Sequence, residues 1–247
     1  MSGPKAFILH LERASSRAAT VQSLRASMAI ESEVLTAIDG ACLTPQEVDQ
    51  AYARRRFRPT YPFPLTRTEV GVFLSHRAAW RRIVDDALDF AFIFEDDAQI
   101  DPSFAALVEF VTLERPAWDY VLLPAQPIRN GTPVASRGDF TLMRPDAPPL
   151  RAIGQIVSLA AAKRLLDRTL PFDRPIDTLM QMTWVTGQPV LVASPSPVRD
   201  VSRETGGSTV QRKSMSLAER LRREAMRPIY RAQVLARYRR HLAQASR

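Results

Sequence analysis

Residues Phe90 to Asp97 read FAFIFEDD, and this stretch constrains the fold more than any other in the chain. Its apolar run, Phe90 to Phe94, has the length and continuity of a buried strand. It then breaks into three adjacent acids, Glu95, Asp96 and Asp97, which must sit at the strand's carboxyl end. In open α/β sheets that edge is where ligands bind. Residues 95 and 97 project to the same side if strand geometry persists, and three neighbouring carboxylates repel one another. The plain alternative is a solvated loop in which Asp97 or Asp101 caps the next helix.

The surroundings of that strand alternate in type. Lys5 to Leu11 (KAFILHL) predicts a first buried strand, and Ser15-Ser16 can cap a helix running to about Ala29. A second strand is expected over Glu33 to Ala37, closed by the turn Asp39-Gly40. Thr44-Pro45-Gln46-Glu47 is a capping box with proline at the first helical position, and Thr66-Arg67-Thr68-Glu69 repeats it without the proline. Between them RRRFRPTYPFP, Arg54 to Pro64, predicts a mobile surface loop. Asp101-Pro102 opens another helix, and Trp118 to Pro124 is another buried strand. Prolines 124, 127, 133, 145, 148 and 149 predict an irregular excursion after it. Ser158 can cap a helix through about Leu170, Ile176 to Thr186 reads as a shorter helix, and Val190 to Ala193 as a last core strand. Strands alternating with helices indicate an α/β sheet.

Charge is distributed unevenly. The net charge is +8, yet Lys213 to Arg247 holds ten Lys or Arg against two Glu, so residues 1–212 are formally neutral. The basicity thus belongs to a tail, which reads as a helix from Ser216 to Ala245 that is either solvated or lies on an anionic membrane. This gives two units, 1–212 and a basic helical tail at 213–247. A nucleic-acid partner is not expected, because the acidic strand end would repel a phosphate backbone. A single cysteine, Cys42, leaves no intramolecular disulfide, and three histidines with one cysteine cannot close a structural zinc site of the usual kind. The N-terminal apolar run is too short for a signal peptide, and no stretch is long enough to span a membrane. The expected location is cytoplasmic.

All-oxygen ligands of the 95–97 kind suit Mg2+ or Mn2+, which keep waters and accept the two phosphates of a nucleotide diphosphate. A metal there would stabilise a leaving diphosphate. The helix starting near Thr66 adds Glu69 and His76, seven residues apart and about 20° from each other around the axis, on a side shared with Phe73 and Trp80. Buried polar groups need partners, so both either bond locally, as a capping glutamate and a core histidine, or face a polar site. Gly71 predicts close approach by another backbone.

These residues carry a resemblance. TRTEVGVFLSHRAAW (Thr66 to Trp80) followed by FAFIFEDD resembles the hallmark of glycosyltransferase family 25, which includes bacterial lipopolysaccharide and lipooligosaccharide sugar transferases. Phe7 to Arg17, Ala37-Ile38-Asp39-Gly40, Ser158 to Leu166 and Pro175-Ile176-Asp177 resemble further family segments, so that the likeness runs from residue 5 to about 212. The chain departs from the pattern at His10, where asparagine is usual, at Arg151 to Gln155, which lacks the common G-T-x-A-Y run, and after Tyr120, where prolines stand in place of Gly-rich or aromatic-rich loops.

The resemblance implies a nucleotide-sugar-binding glycosyltransferase type-A-like α/β domain with a mostly parallel mixed sheet. It also implies transfer of a hexose from a nucleotide-diphosphate sugar to a glycan or glycolipid acceptor, with inversion at the anomeric carbon. Asp97 would hold Mn2+ or Mg2+, with Glu95 or Asp96 assisting. Arg13 and Arg17 would meet the phosphates, and Asp39, Glu95 and Asp96 would lie around the donor. Asp177 is the first candidate for the base that accepts the acceptor's proton and Glu204 the second, with Glu69 and His76 beside them. Lipid-linked acceptors would place the protein peripherally at the inner face of the inner membrane, held by the tail. A metal-dependent nucleotidyltransferase or sugar-nucleotide hydrolase could use the same carboxylates, and a noncatalytic membrane or nucleic-acid adaptor could rest on the tail alone.

Overall fold

In chain order the elements are β1 (Lys5–His10), a 3-10 turn (Ser15–Arg17), α1 (Ala18–Ala26), β2 (Glu31–Thr36), α2 (Pro45–Ala51), α3 (Arg67–Asp85), β3 (Phe90–Glu95), β4 (Ala98–Ile100), α4 (Phe104–Leu113), β5 (Tyr120–Leu122), β6 (Gly131–Arg137), β7 (Phe140–Pro145), β8 (Gly154–Ser158), α5 (Leu159–Arg168), α6 (Ile176–Met180), α7 (Thr183–Thr186), β9 (Leu191–Ser194), β10 (Val198–Asp200) and α8 (Leu217–Ala245). They come from a computed structural model that describes residues 3–115, 117–128, 130–204 and 217–245.

Eight strands form one mixed sheet in the order β2-β1-β3-β8-β5-β9-β7-β6, and β4 pairs with β10 in a separate ribbon. β1 is parallel to β2 and β3, and β5 to β9. β8 runs against β3 and β5, and β7 against β9 and β6. Six of the eight strands therefore point the same way, with β7 and β8 reversed, as the expected mostly parallel mixed sheet requires.

The alternation of β3 sorts the core into two layers. Ala91 and Ile93 pack with α3 and α5 residues such as Phe73, Trp80 and Leu165. Phe90, Phe92 and Phe94 pack with Leu24 of α1 and with Phe104 and Leu107 of α4. Each fully buried side chain of this size contributes roughly 1.5–3 kcal/mol. Both capping boxes form, at Thr44 with Glu47 and at Thr66 with Glu69.

Several expectations need correction. The proline-rich excursion contains a hairpin, β6 and β7, whose register shifts between Pro133 and Ala135. Proline is tolerated there because β6 is the sheet's edge strand and the shift removes the need for a ladder N–H. Gly154–Ser158 is a fully buried strand that ends on the helix-capping Ser158. The helix expected over 176–186 is broken into α6 and α7. The segment 54–64 is irregular as expected, but it is tied to the body rather than free. Phe57 donates its N–H to Asp173 at 2.9 Å, and Arg174 donates to the carbonyls of Phe57 at 3.2 Å and Pro59 at 3.1 Å.

Arg174 and Asp173 are both buried and paired at 2.6 Å, and Arg174 also donates to the Tyr230 hydroxyl of α8. Tyr230, Val234 and Tyr238 are buried, one helical turn apart, and Tyr238 donates to the Pro145 carbonyl at 2.9 Å. This part of the tail is docked on the body, while Arg231, Arg239 and Arg240 remain exposed. No helix among the described residues is long and apolar enough to cross a membrane.

Candidate functional site

From β1 the chain winds through α1 to β2 on one side of the sheet, then returns through α2 and α3 to place β3 on the other side of β1. Such a reversal opens a crevice outside the carboxyl ends of the strands. His10 closes β1 and Glu95 closes β3 at this point.

Strand parity divides the three acids. Glu95 continues the face of Ala91 and Ile93 and meets α3, where His76 Nε2 lies 3.2 Å from Glu95 Oε1. Asp96 faces the other way. One of its oxygens is 2.9 Å from His10 Nδ1 and the other accepts from Arg17, whose guanidinium also lies 3.2 Å from Asp97 Oδ2. Asp96 is thus a buried clasp joining β1, the turn after it and β3. Of the two acids expected to assist Asp97, Glu95 shares a pocket with it and Asp96 does not.

A buried hydrogen-bond chain fixes Glu95 from behind. The Gln155 amide faces both the Ala152 carbonyl, at 3.1 Å, and His76 Nδ1, at 3.0 Å. A carbonyl can only accept, so the group facing it is the NH2, and His76 Nδ1 must accept as well. The ring proton is then on Nε2, directed at Glu95. Tyr120 completes the chain by donating to Gln155 Oε1 at 2.9 Å. Tyr120, Gln155 and His76 are all 0% exposed.

The α3 motif resolves into separate tasks. Glu69 closes the capping box, accepting from the Thr66 N–H at 2.7 Å, and its side chain also borders the pocket that contains Glu95. At Gly71 any Cβ would lie 2.6 Å from the Ile38 carbonyl oxygen and 2.6 Å from the Gly40 nitrogen, so the close backbone approach expected there is real. Ser75 accepts the Ile38 N–H at 2.8 Å and pins the same loop.

Two depressions meet at Glu95. The first lies over the ends of β1 and β2, between Leu9, Ile38 and Val72, and includes Arg13, Arg17 and Asp39. Arg13 and Asp39 pair in bidentate fashion, at 2.5 and 3.2 Å. Hydrogen bonding to Arg13 and to the Ala41 N–H holds the Asp39 carboxyl below its ordinary range. The second, about 270 Å3, is lined by Glu69, Glu95, Asp97, Asp177, Asp200 and Arg151. Asp97 Oδ1 is buried there without a hydrogen-bond partner. Burial first, and then the charge of Glu95, pushes the Asp97 carboxyl up to about 6, against the pull of Arg17.

Among the described residues no three His, Cys, Asp or Glu side chains cluster as a preformed metal site. Glu95 and Asp97 supply two carboxylates and one orphaned oxygen. That set fits a hard cation that draws its remaining oxygens from water and phosphate.

Asp177 accepts the Arg151 N–H at 3.2 Å and the Thr178 N–H at 2.6 Å, and also borders a third depression of about 410 Å3 with Tyr61, Arg227 and Tyr230. Glu204 is not brought to the site; it lines a separate depression with Ala19, Ser23 and Gln99. Sequence reasoning missed Asp200, which pairs with Arg151, and the supporting role of Gln155. The departure from the family pattern at His10 was visible, but its partner Asp96 was not.

The family model described as glycosyltransferase family 25 (LPS biosynthesis protein) matches residues 3–130, just over half of the chain. The chain is 25% identical over 193 residues to procollagen galactosyltransferase 1 of Danio rerio, covering 74% of this chain and 32% of that protein. It is 29% identical over 194 residues to the inactive glycosyltransferase 25 family member 3 of Mus musculus, covering 70% and 31%. It thus spans about a third of the length of these curated relatives. The crystal structure of a glycosyltransferase involved in glycosylation of the major capsid of PBCV-1 aligns with 77% of this chain and 81% of its own, at a TM-score of 0.38 and 9% identity.

Proposed function

The chain belongs to glycosyltransferase family 25, and from that membership we propose that it transfers a hexose from a nucleotide-diphosphate sugar to a glycan or glycolipid acceptor in cell-surface glycan synthesis. Some relatives are named inactive, so membership alone does not carry activity. The observation that supports it is the pairing of Glu95 with Asp97, whose Oδ1 is buried and orphaned, in one pocket at the sheet's switch point.

In this reading the nucleotide occupies the depression between Ile38 and Leu9, with Arg13 and Arg17 toward the phosphates. Glu95 and Asp97 would hold Mn2+ or Mg2+, which would supply positive charge to offset that of the departing diphosphate. The acceptor hydroxyl oxygen attacks the anomeric carbon from the side opposite the diphosphate and inverts it. The bond to the diphosphate breaks with its electron pair, and the hydroxyl proton passes to Asp177. Backbone N–H groups of Arg151 and Thr178 orient that carboxylate and leave it lone pairs for the proton. The exposed arginines of α8 support peripheral attachment to an anionic membrane face.

The test is incubation with a panel of nucleotide-sugars and Mn2+, with product analysis. A released nucleotide diphosphate, with the sugar on an acceptor or on water, supports the reading. A nucleotide monophosphate would instead indicate nucleotidyl transfer or phosphoanhydride cleavage, and no turnover with any donor would count against catalysis.

A further inference from the structure

Arg151 and Asp200 line both the pocket containing Asp97 and a larger cleft of about 670 Å3, a size usual for ligand sites. Pro124 to Ile128, Pro149 and Leu150 line part of it, and Arg199, Asp200 and Arg203 another part. Asp200 is the only acid in that lining. It is already engaged, by the Arg151 guanidinium and by the Ser202 N–H at 2.8 Å. Arg199 and Arg203 are exposed, and neither has a carboxylate partner among the described residues.

An exposed arginine on a convex surface is ordinarily just solvated. These two differ in their setting, because they lie in a concavity with a proline-rich wall, and low-dielectric walls focus the field of the charges they enclose. Their segment is also fixed relative to the reacting centre. β10 pairs with β4 directly after Asp97, and the Val201 N–H donates to the Asp97 carbonyl at 3.0 Å. The cleft shares no lining residue with the depression around Asp39 proposed for the nucleotide. It does share Arg151 and Asp200 with the pocket holding Asp97 and Asp177.

We propose that this cleft receives the acceptor, and that Arg199 and Arg203 bind a carboxylate or phosphate carried on a sugar of that acceptor, one side of which then reaches Asp177. The proposal rests on the glycosyl-transfer reading above and adds that the acceptor is an anionic glycan.

The experiment measures equilibrium binding of tetragalacturonate and of its fully methyl-esterified form to the full chain by ligand-observed NMR at low salt. The comparison is repeated with glucose 6-phosphate and glucose, to separate phosphate from carboxylate recognition. The wild-type chain is expected to prefer at least one acidic ligand over its neutral counterpart by about ten-fold or more, as hydrogen bonds to charged groups allow. The Arg199→Ala/Arg203→Ala double variant should bind both members of each pair alike, while an Arg239→Ala/Arg240→Ala variant of α8, whose residues line neither this cleft nor the depression beside Asp177, keeps the preference. No preference in the wild type, or a preference that survives in the first variant or vanishes in the second, would overturn the proposal. Binding of UDP and GDP with Mn2+ is measured in parallel on all three proteins. A wild type that shows no acidic preference but still binds diphosphate counts against the cleft alone, whereas failure of the wild type to bind any diphosphate counts against the donor site.

Discussion

Asp97 illustrates how one side chain can weaken the fold and serve the site. In an unfolded chain its carboxyl titrates near the ordinary 3.8, and in the folded protein near 6. Below about pH 4 both states are protonated and the group costs nothing. Between pH 4 and 6 the unfolded state ionises first, so stability falls as pH rises, and above 6 the full cost remains. At about 1.4 kcal/mol per unit, that cost is at most about 3 kcal/mol. Asp97→Asn cannot titrate, so its melting temperature relative to wild type is expected to climb between pH 4 and 7 in metal-free buffer. A difference that does not change with pH would mean Asp97 behaves as an ordinary surface acid. The same variant should lose Mn2+-dependent binding of nucleotide diphosphate, which calorimetry reads directly. Behind Glu95, Gln155→Leu removes the donor that sets the His76 tautomer. Supporting groups of this kind typically matter by 10–100-fold, so kcat is expected to fall by about that much with diphosphate affinity little changed. His76→Ala should lower kcat too, but it also strands the Gln155 amide, at a stability cost of about 1–3 kcal/mol seen in thermal melts.

At the scale of elements, what the sequence revealed was what is local. The boxes at Thr44 and Thr66 were legible because cap and partner lie three residues apart, and β3 because an uninterrupted apolar run needs no partner to be recognised. The hairpin of β6 and β7 was hidden because Pro133 argues against a strand until one knows that β6 lies at an edge, and because Pro145, which is only the last residue of β7, reads as a breaker. β8 was hidden because Ser158 reads first as a helix cap, and it is one. The candidate site divided in the same way. Glu69, His76 and Glu95 share short motifs, whereas Asp200 and Arg151 are far apart in the sequence and meet only in the folded chain, and nothing near Glu204 in sequence says that it points elsewhere. Gly71 tests the contact between α3 and the loop at Ile38. In Gly71→Ala the new Cβ meets backbone at 2.6 Å on two atoms that cannot rotate away. Overpacking of this kind costs about 1–3 kcal/mol, and nucleotide affinity should fall with stability if the depression lined by Ile38 holds the nucleotide as proposed. Normal melting and normal affinity in this variant would show that the loop shifts freely.

For the whole molecule, the uneven charge found in the sequence takes a more specific form once α8 is seen docked. Removing everything after Arg212 would strip Tyr230 from Arg174 and uncover a buried ion pair, so such a truncation is expected to destabilise the body as well as detach the tail. Attachment to a membrane is better tested by Arg231→Gln/Arg239→Gln/Arg240→Gln, which leaves Tyr230, Val234 and Tyr238 in place. At about 1 kcal/mol for each basic group near an anionic surface, this variant should sediment with anionic liposomes far less than wild type at low salt, and the wild type should be released as salt rises. Binding that ignores both changes would point to a different use of α8. The Arg174 linkage has a further consequence. Arg174 holds α8 through Tyr230 and sits three residues before Asp177, and Asp177 and Tyr230 border the same depression. Coupling between two such sites is reciprocal. Whatever clamps α8 from outside steadies the segment bearing Asp177, and whatever fills that depression clamps α8 from within. Backbone amides from Tyr230 to Tyr238 should then exchange with solvent more slowly when the depression is filled, and the tail would convey occupancy outward to any surface that binds it.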